Sequence, residues 1–163
     1  MEIERNEDGS FTLSEIEPTL TEILLSIPSA IEPEGDEKVL NRLYPSPVSS
    51  PAETEVLQEW NEYVAPELRK LFHDAAVIVK DDLDRLVDEP SQLTIPAANV
   101  DAWLNVLNQA RLALAARYDV TEEDMERPIA QVLNDEREVA LFQIHFYGFL
   151  QECLIKGIES HDF

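Results

Sequence analysis

Trp103 to Tyr118 read WLNVLNQARLALAARY. The stretch predicts a helix from about Asn99 to Tyr118. At roughly 100° per residue, Val100, Trp103, Leu104, Leu107, Leu114 and Tyr118 share one face, with Arg111 near its centre. Asn108 and Ala115 lie on one flank. A guanidinium buried without a partner is prohibitive, and breaking a buried pair costs roughly 3–5 kcal/mol. Arg111 therefore either runs its methylenes along the core to solvent, or meets a carboxylate or helix-end carbonyls. Gln151 and Glu152 are the expected partners. A network that fixes how two helices dock is the expectation. An arginine that binds an anion or ligand is the alternative.

Outward from this stretch the chain patterns as a mainly α protein. The last helix is expected to start at Asp135, with Glu138 completing a capping box, and to run to about Gly157. Phe142, Phe146, Phe149 and Cys153 lie on one side of it; Ile144, Tyr147, Leu154 and Ile158 lie on the other. A helix apolar nearly all round is packed on several sides. The architecture expected is a helical bundle around a buried C-terminal helix, with a small N-terminal β-hairpin. A homodimer sharing this helix gives the same pattern.

The hairpin occupies residues 1–16, with Ile3 and Arg5 facing Phe11 and Leu13 across an Asp8-Gly9 turn. A first helix spans about Glu17 to Ser26, with Pro18 in its first turn and Pro28 ending it. Its apolar residues are Ile16, Leu20, Ile23, Leu24 and Ile27. A second covers Asp36 to Leu43, with Val39, Leu40 and Leu43 inward. Residues 44–52 are a Pro/Ser-rich loop. Helical periodicity resumes from Glu53 to about Val87, and Pro66 starts a new helix within it. The first piece offers Val56, Leu57, Trp60 and Val64 to the core. The second offers Leu68, Leu71, Phe72, Ala75, Val79, Leu83 and Leu86. Residues 88–92 form a turn, and 93–96 are extended ahead of Pro96. Thr121 with Asp124 resembles a capping box. The core helices thus fall within 97–158, and the length of 163 residues fits one domain.

Twelve Lys and Arg stand against 34 Asp and Glu, a net charge of −22. Such a field steers cationic partners and repels phosphate backbones, so nucleic acid and anionic membrane are not expected partners. The single cysteine, Cys153, allows no intramolecular disulfide. The opening MEIERNEDGS lacks the basic and apolar regions of a signal peptide. The most apolar stretch, VALFQIHFYGFL, is shorter than the ~20 residues a spanning helix needs. A cytoplasmic location is expected.

Trp103-Leu104, Leu107-Asn108 and Arg111-Leu112-Ala113-Leu114, followed by Asp119-Val120-Thr121-Glu122-Glu123-Asp124, resemble a motif of a family of uncharacterised bacterial proteins. It is the domain-of-unknown-function family numbered two-zero-one-seven. Tyr147-Gly148-Phe149-Leu150-Gln151-Glu152 with Leu154 resembles its C-terminal signature. Weaker similarity covers Asn41-Arg42-Leu43-Tyr44-Pro45 and Leu68-Arg69, while the long acidic segment 122–138 departs from the family pattern. The resemblance implies a helical cytoplasmic protein with no established activity. Members encoded beside the adaptor of the Clp protease point by association to proteostasis.

Motifs that carry chemistry are sparse. His-Glu-x-x-His and Glu-x-x-His are absent, so neither a zinc-hydrolase nor a di-iron bundle site is expected. His73, beside Asp74, is read as a half-buried helix residue. Asp81, two turns further on, is ~12 Å away along the helix, too far to share an ion with it. Asp81, Asp82 and Asp84 form an acidic cluster strung along one helix, where divalent ions prefer a loop. His145 and Glu152 lie two turns apart, with room for an acid–base role only around a substrate. Glycines are scattered, so no phosphate cradle forms. No serine-nucleophile elbow exists, and Cys153 on an apolar face is an inert thiol. Gly148, in mid-helix, is expected to let a neighbouring helix approach closely.

No metal, cofactor or catalytic residue is therefore expected. The expected function is a non-enzymatic protein-interaction or regulatory domain, whose acidic surface meets a basic patch on a protein partner. The Pro-rich segment 44–52 is a candidate contact. The alternative is a small-molecule binder, or an enzyme of unrecognised type, with a polar pocket at Arg111, Asn108, Gln151 and Glu152.

Overall fold

The structure, a computed structural model, describes residues 1–33, 35–47, 54–129 and 133–160. Residues 48–52 of the Pro/Ser-rich loop, Glu53 and His161 lie outside the described residues. β1 (Glu2–Arg5) and β2 (Phe11–Ser14) pair antiparallel, with Ile3 opposite Leu13 and Arg5 opposite Phe11. The connection is not a two-residue Asp8-Gly9 turn. Asn6 N–H donates to the Ser10 carbonyl, and within the loop only Gly9 takes a positive φ, 85°. That is a three-residue loop with glycine at its left-handed position. Asp8 instead accepts hydrogen bonds from the Ser10 hydroxyl at 2.6 Å and backbone N–H at 3.0 Å. These bonds hold its carboxyl below the usual carboxylate range.

Residues 93–96, expected to be extended, supply a third strand. β3 (Leu93–Ile95) pairs antiparallel with β2, placing Leu93 opposite Leu13 and Ile95 opposite Phe11. All four side chains are buried, so the alternation of the strands carries one apolar face onto the helices.

The helices follow their capping chemistry. α1 (Pro18–Leu25) has its proline in the first turn. Pro28 does not simply end it: a one-turn α2 (Ile27–Ala30) follows at once, with Pro28 in its own first turn. α3 (Glu37–Leu43) is capped by the Asp36 side chain. Val39 and Leu43 face inward as expected, whereas Leu40 is exposed. α4 (Thr54–Glu59) runs through a π-helical turn (Trp60–Val64) into α5 (Ala65–Asp88), with Pro66 at the start of the latter. A short 3₁₀ turn (Ala97–Asn99) opens α6 (Val100–Arg117).

Thr121 and Asp124 form a complete capping box on α7 (Glu122–Glu126). The Asp135 side chain accepts the Glu138 N–H at the start of α8 (Glu136–Glu159), but Glu138 reaches back to Asn134 N–H. The reciprocal bond expected at Asp135 is therefore displaced by one residue.

The bundle is organised around α6, which packs against α2, α3, α5 and α8. Trp103, Val106, Leu107, Ala110 and Ala113 are fully enclosed around it. α8 is buried along the face of Ala140, Ile144, Tyr147, Leu150 and Leu154, with Phe146 beside it. The packing on several sides expected from its apolar sequence does not reach Phe149, which is 51% exposed, or Ile155, at 44%. The hairpin rests on the far end of α8. A Cβ on Gly157 would lie 2.7 Å from Phe11 Cζ, so only glycine lets the buried Phe11 ring sit there.

α5 changes character along its length. Ala75, Val79, Leu83 and Leu86 join the core, as their spacing predicts. Leu71, expected with them, is 57% exposed. Val56 and Val64, expected inward, are also exposed, and Leu57 and Trp60 are half-buried. Among the described residues, nothing beyond their chain neighbours packs substantially on α4 or the π turn.

Candidate functional site

Arg111 lies half-buried between α6 and α8. Its Nη1 donates to Gln151 Oε1 at 2.8 Å, and Gln151 Nε2 donates to the Leu104 carbonyl at 3.1 Å. The Gln151 amide thus bridges the arginine to the backbone of α6, tying the two helices at one point. The guanidinium lies against Gly148: a Cβ there would be 3.3 Å from Cζ and 3.4 Å from Nε and Nη2. The close approach expected of a neighbouring helix is made instead by this side chain of α6. Arg111 Nε is buried without a hydrogen-bond partner, a debt left in place by the fit against Gly148.

Glu152 does not join Arg111. It is exposed and pairs with Lys156 at 2.6 Å, whose ammonium holds its carboxyl below the usual range. Asn108 is exposed and lines an open hollow with Arg111, Leu112, Ala115 and Val120. A second hollow on the other side holds Arg111, Gly148, Gln151, Glu152 and Ile155. Of the four residues singled out in the sequence, the structure joins Arg111 to Gln151 by a hydrogen bond. It brings Asn108 and Glu152 only to the rims of two open hollows.

The polar group that the sequence reading missed is Asp82. It is 1% exposed, unlike its outward-facing neighbours Asp81 and Asp84. One oxygen accepts Trp103 Nε1–H at 2.9 Å, and both accept from Asn99 Nδ2 at 3.0 and 3.1 Å. Arg85 Nη1 stands 3.5 Å away. The carboxylate pins α5 to the start of α6. A signal was available: Asp82 falls on the stripe of Ala75, Val79 and Leu86, and a buried indole N–H needs an acceptor.

The other titratable groups are committed or dispersed. His73 is exposed rather than half-buried, and Asp74 pairs with Lys70 at 2.6 Å. His145 borders a cleft of about 250 Å³ with Asp124, Arg137 and Phe142. Arg137 donates to Asp124 at 2.6 Å and reaches the Tyr118 carbonyl at the end of α6. With the Thr121 bonds, this holds the Asp124 carboxyl well below the usual range. Burial pushes the Cys153 thiol up, which keeps it protonated. The buried Tyr147 hydroxyl donates to the Ile23 carbonyl at 2.8 Å, and burial pushes its pKa up to about 12. Among the described residues, no group of three His, Cys, Asp or Glu is placed to hold a metal ion, and no helix is long and apolar enough to cross a membrane.

The largest departure from a closed core is the arm formed by α4, the π turn and the first turns of α5. It contains no buried residue from Thr54 to Asp74. Tyr63 is 67% and Val64 42% exposed. With Leu68 and Leu71 they line an open depression of about 530 Å³ that also holds Glu67, Lys70 and Asp74. Arg69 stacks over the Tyr44 ring, 5.2 Å from its centre, and Phe72 packs on the same ring; from there on α5 is held to the body. The stripe of α5 that is core beyond Ala75 therefore continues outward with no other element of the described fold packed substantially against it. Isolated exposed apolar residues need no explanation, but a contiguous run of them marks a contact surface. A π turn, where it occurs, is often at a functional site.

Residues 5–158 match the family model described as "Domain of unknown function (DUF2017)". Comparison with curated proteins and with solved structures gives no match.

Proposed function

We propose that this chain, which belongs to the family of unknown function DUF2017, acts as a non-enzymatic protein-interaction module whose docking element is the arm at Thr54–Leu71. The single observation that carries this reading is the arm itself. It is a helical segment whose apolar stripe is continuous with the core yet has no other element of the described fold packed substantially on it. Holding Val64 and Leu71 in water forgoes roughly 25 cal/mol per Å² of apolar surface, and a partner laid on the stripe recovers it. Glu55, Glu59 and Glu62 flank its first half with no basic residue among them. The surface that fits is an apolar helix face bordered by basic groups, in keeping with a charge of −22 that favours cationic partners. Proteostasis, suggested by the gene neighbourhood that the family resemblance implies, is the setting in which such a module would work.

The small-molecule alternative draws less support. The hollows beside Arg111 are open, and the guanidinium is turned towards Gln151 and Gly148. The test is affinity capture from a lysate of the source cells with the wild type and with Val64→Asp/Leu71→Asp, at low and high salt. Both sites are exposed, so the variant keeps its fold. The reading expects proteins held by the wild type and lost by the variant, with weaker capture in high salt. Equal capture by both chains removes the arm from the account.

A further inference from the structure

α5 shows two different faces near its start. Glu67, Lys70 and Asp74 border the open depression of the arm. Arg69, Phe72, His73, Ala76, Val77 and Lys80 lie on another side, where they border a cavity of about 290 Å³. Pro28 and Ile31, at α2, make more of its lining apolar, and Gln109 of α6 reaches it. The Tyr44 and Phe72 rings, 5.6 Å apart and tilted by 43°, give it an aromatic wall.

Two polar groups on this lining are left unsatisfied by the described fold. Gln109 is 4% exposed. Its Nε2 donates to Asn105 Oδ1, one turn back on the same helix, and among the described residues no hydrogen bond reaches its amide oxygen. A polar side chain so placed calls for a partner. Arg69 lies with its guanidinium over the Tyr44 ring, and among the described residues it makes no hydrogen bond or ion pair, although acids outnumber bases 34 to 12. A guanidinium stacked on a ring keeps its N–H edge available to a planar anion. Lys80 adds a second cation, since its contact with Asp84 is 3.6 Å long and both groups are exposed. Against these stands one lining carboxylate among the described residues, Glu32.

We propose that this cavity binds a small aromatic acid, with its ring against Tyr44 and Phe72, its carboxylate on Arg69 and a hydrogen-bond donor turned to Gln109. The volume lies at the small end of ligand pockets, which suits one ring with a short side chain. Two tilted rings offer a third ring both an edge and a face. The acidic group is required by Arg69, and the donor by an amide whose free atom is an acceptor. A net charge of −22 opposes the approach of any anion, so affinity comes from these short contacts alone. The site lies apart from Arg111 and from the exposed stripe of the arm, so its failure would leave the docking reading untouched.

Nuclear magnetic resonance titration of the ¹⁵N-labelled full chain tests this. The probe is 4-hydroxyphenylacetate, which carries a ring, a carboxylate and a hydroxyl donor at its far end. Phenylacetate lacks the donor, and 2-(4-hydroxyphenyl)ethanol lacks the charge. The acid is expected to give saturable shifts centred on Phe72, Ala76, Val77 and the Gln109 side-chain amide, and each comparator to bind more weakly. Arg69→Gln, at an exposed position, is expected to weaken the acid about tenfold and to leave the alcohol unchanged. Gln109→Leu, with its fold checked by circular dichroism, should abolish the preference for 4-hydroxyphenylacetate over phenylacetate. Absence of saturable shifts at the lining with all three compounds overturns the proposal, as does equal binding of the acid and the alcohol. An Arg69→Gln chain that binds the acid as the wild type does overturns it too. Equal binding of the two acids by the wild type would remove Gln109 from the site.

Discussion

Replacing Gly148 with alanine probes the Arg111 contact most sharply, because two known effects oppose each other there. Alanine in a helix interior is favoured over glycine by about 0.8–1.0 kcal/mol. The new Cβ would stand 3.3 Å from Arg111 Cζ and 3.4 Å from Nε and Nη2, so the guanidinium must shift by a few tenths of an ångström. That shift strains its 2.8 Å bond to Gln151, and a hydrogen bond to a charged group is worth about 1.5–3 kcal/mol. Partial loss of the bond outweighs the helix gain, so Gly148→Ala is expected to destabilise the wild type by about 0.5–1 kcal/mol. In an Arg111→Met background the clash is gone, the flexible methionine adapts, and the same change is expected to stabilise by about 1 kcal/mol. The coupling of at least about 1.5 kcal/mol is read from urea unfolding of the four proteins in a double-mutant cycle. Equal effects of Gly148→Ala in the two backgrounds would refute the packing of the guanidinium on Gly148, and with it the view of Arg111 as a helix pin.

Three further outcomes follow from the same structure. Gly157→Ala is expected to cost about 1–2 kcal/mol, since overpacking against the buried Phe11 ring outweighs the helix gain; Phe11→Leu should recover part of it in equilibrium unfolding. Asp82→Ala leaves the Trp103 indole and the Asn99 amide without their acceptor. It is expected to cost about 3 kcal/mol, with Asp82→Asn costing less because its amide oxygen still accepts the indole N–H; thermal unfolding separates them. The carboxyl of Asp124 is held low by Arg137 and then Thr121, so its stabilisation is present above its ordinary value of 3.8 and is lost as pH falls through that value towards the folded one. The stability gap between wild type and Asp124→Asn should therefore narrow in acid, and a gap equally wide at neutral pH and at about pH 2 would contradict the ion pair's role.

The helices were legible because their signals are local. Pro18, Pro66, Asp36, Thr121 and Asp135 mark starts by satisfying or lacking free N–H groups, and the periodicity of residues 100–118 is strong. β3 was not legible as a paired strand, because three residues are too few to show alternation. The direction of the arm was not legible either. Val56, Val64 and Leu71 have the spacing of core residues, and spacing tells that a face is apolar but not what covers it. The sequence tied Arg111 to Gln151 because both lie on facing helices. It also favoured Glu152, but one residue is about 100° around a helix, and that turn carries Glu152 into solvent beside Lys156. Asp82 was overlooked because three aspartates in four residues look like a solvated face, whereas their angular positions differ.

The claim on which the functional account depends is that the arm is uncovered in the isolated chain and covered in a complex. Hydrogen exchange of the isolated chain at low protein concentration, read by mass spectrometry, measures the uncovered state directly. The account expects amides of residues 54–68 to exchange rapidly in dilute solution while those of 75–86 stay protected. Protection of 54–68 equal to that of 75–86 at the lowest concentration would show that the arm is already packed against its own chain, and would contradict the account.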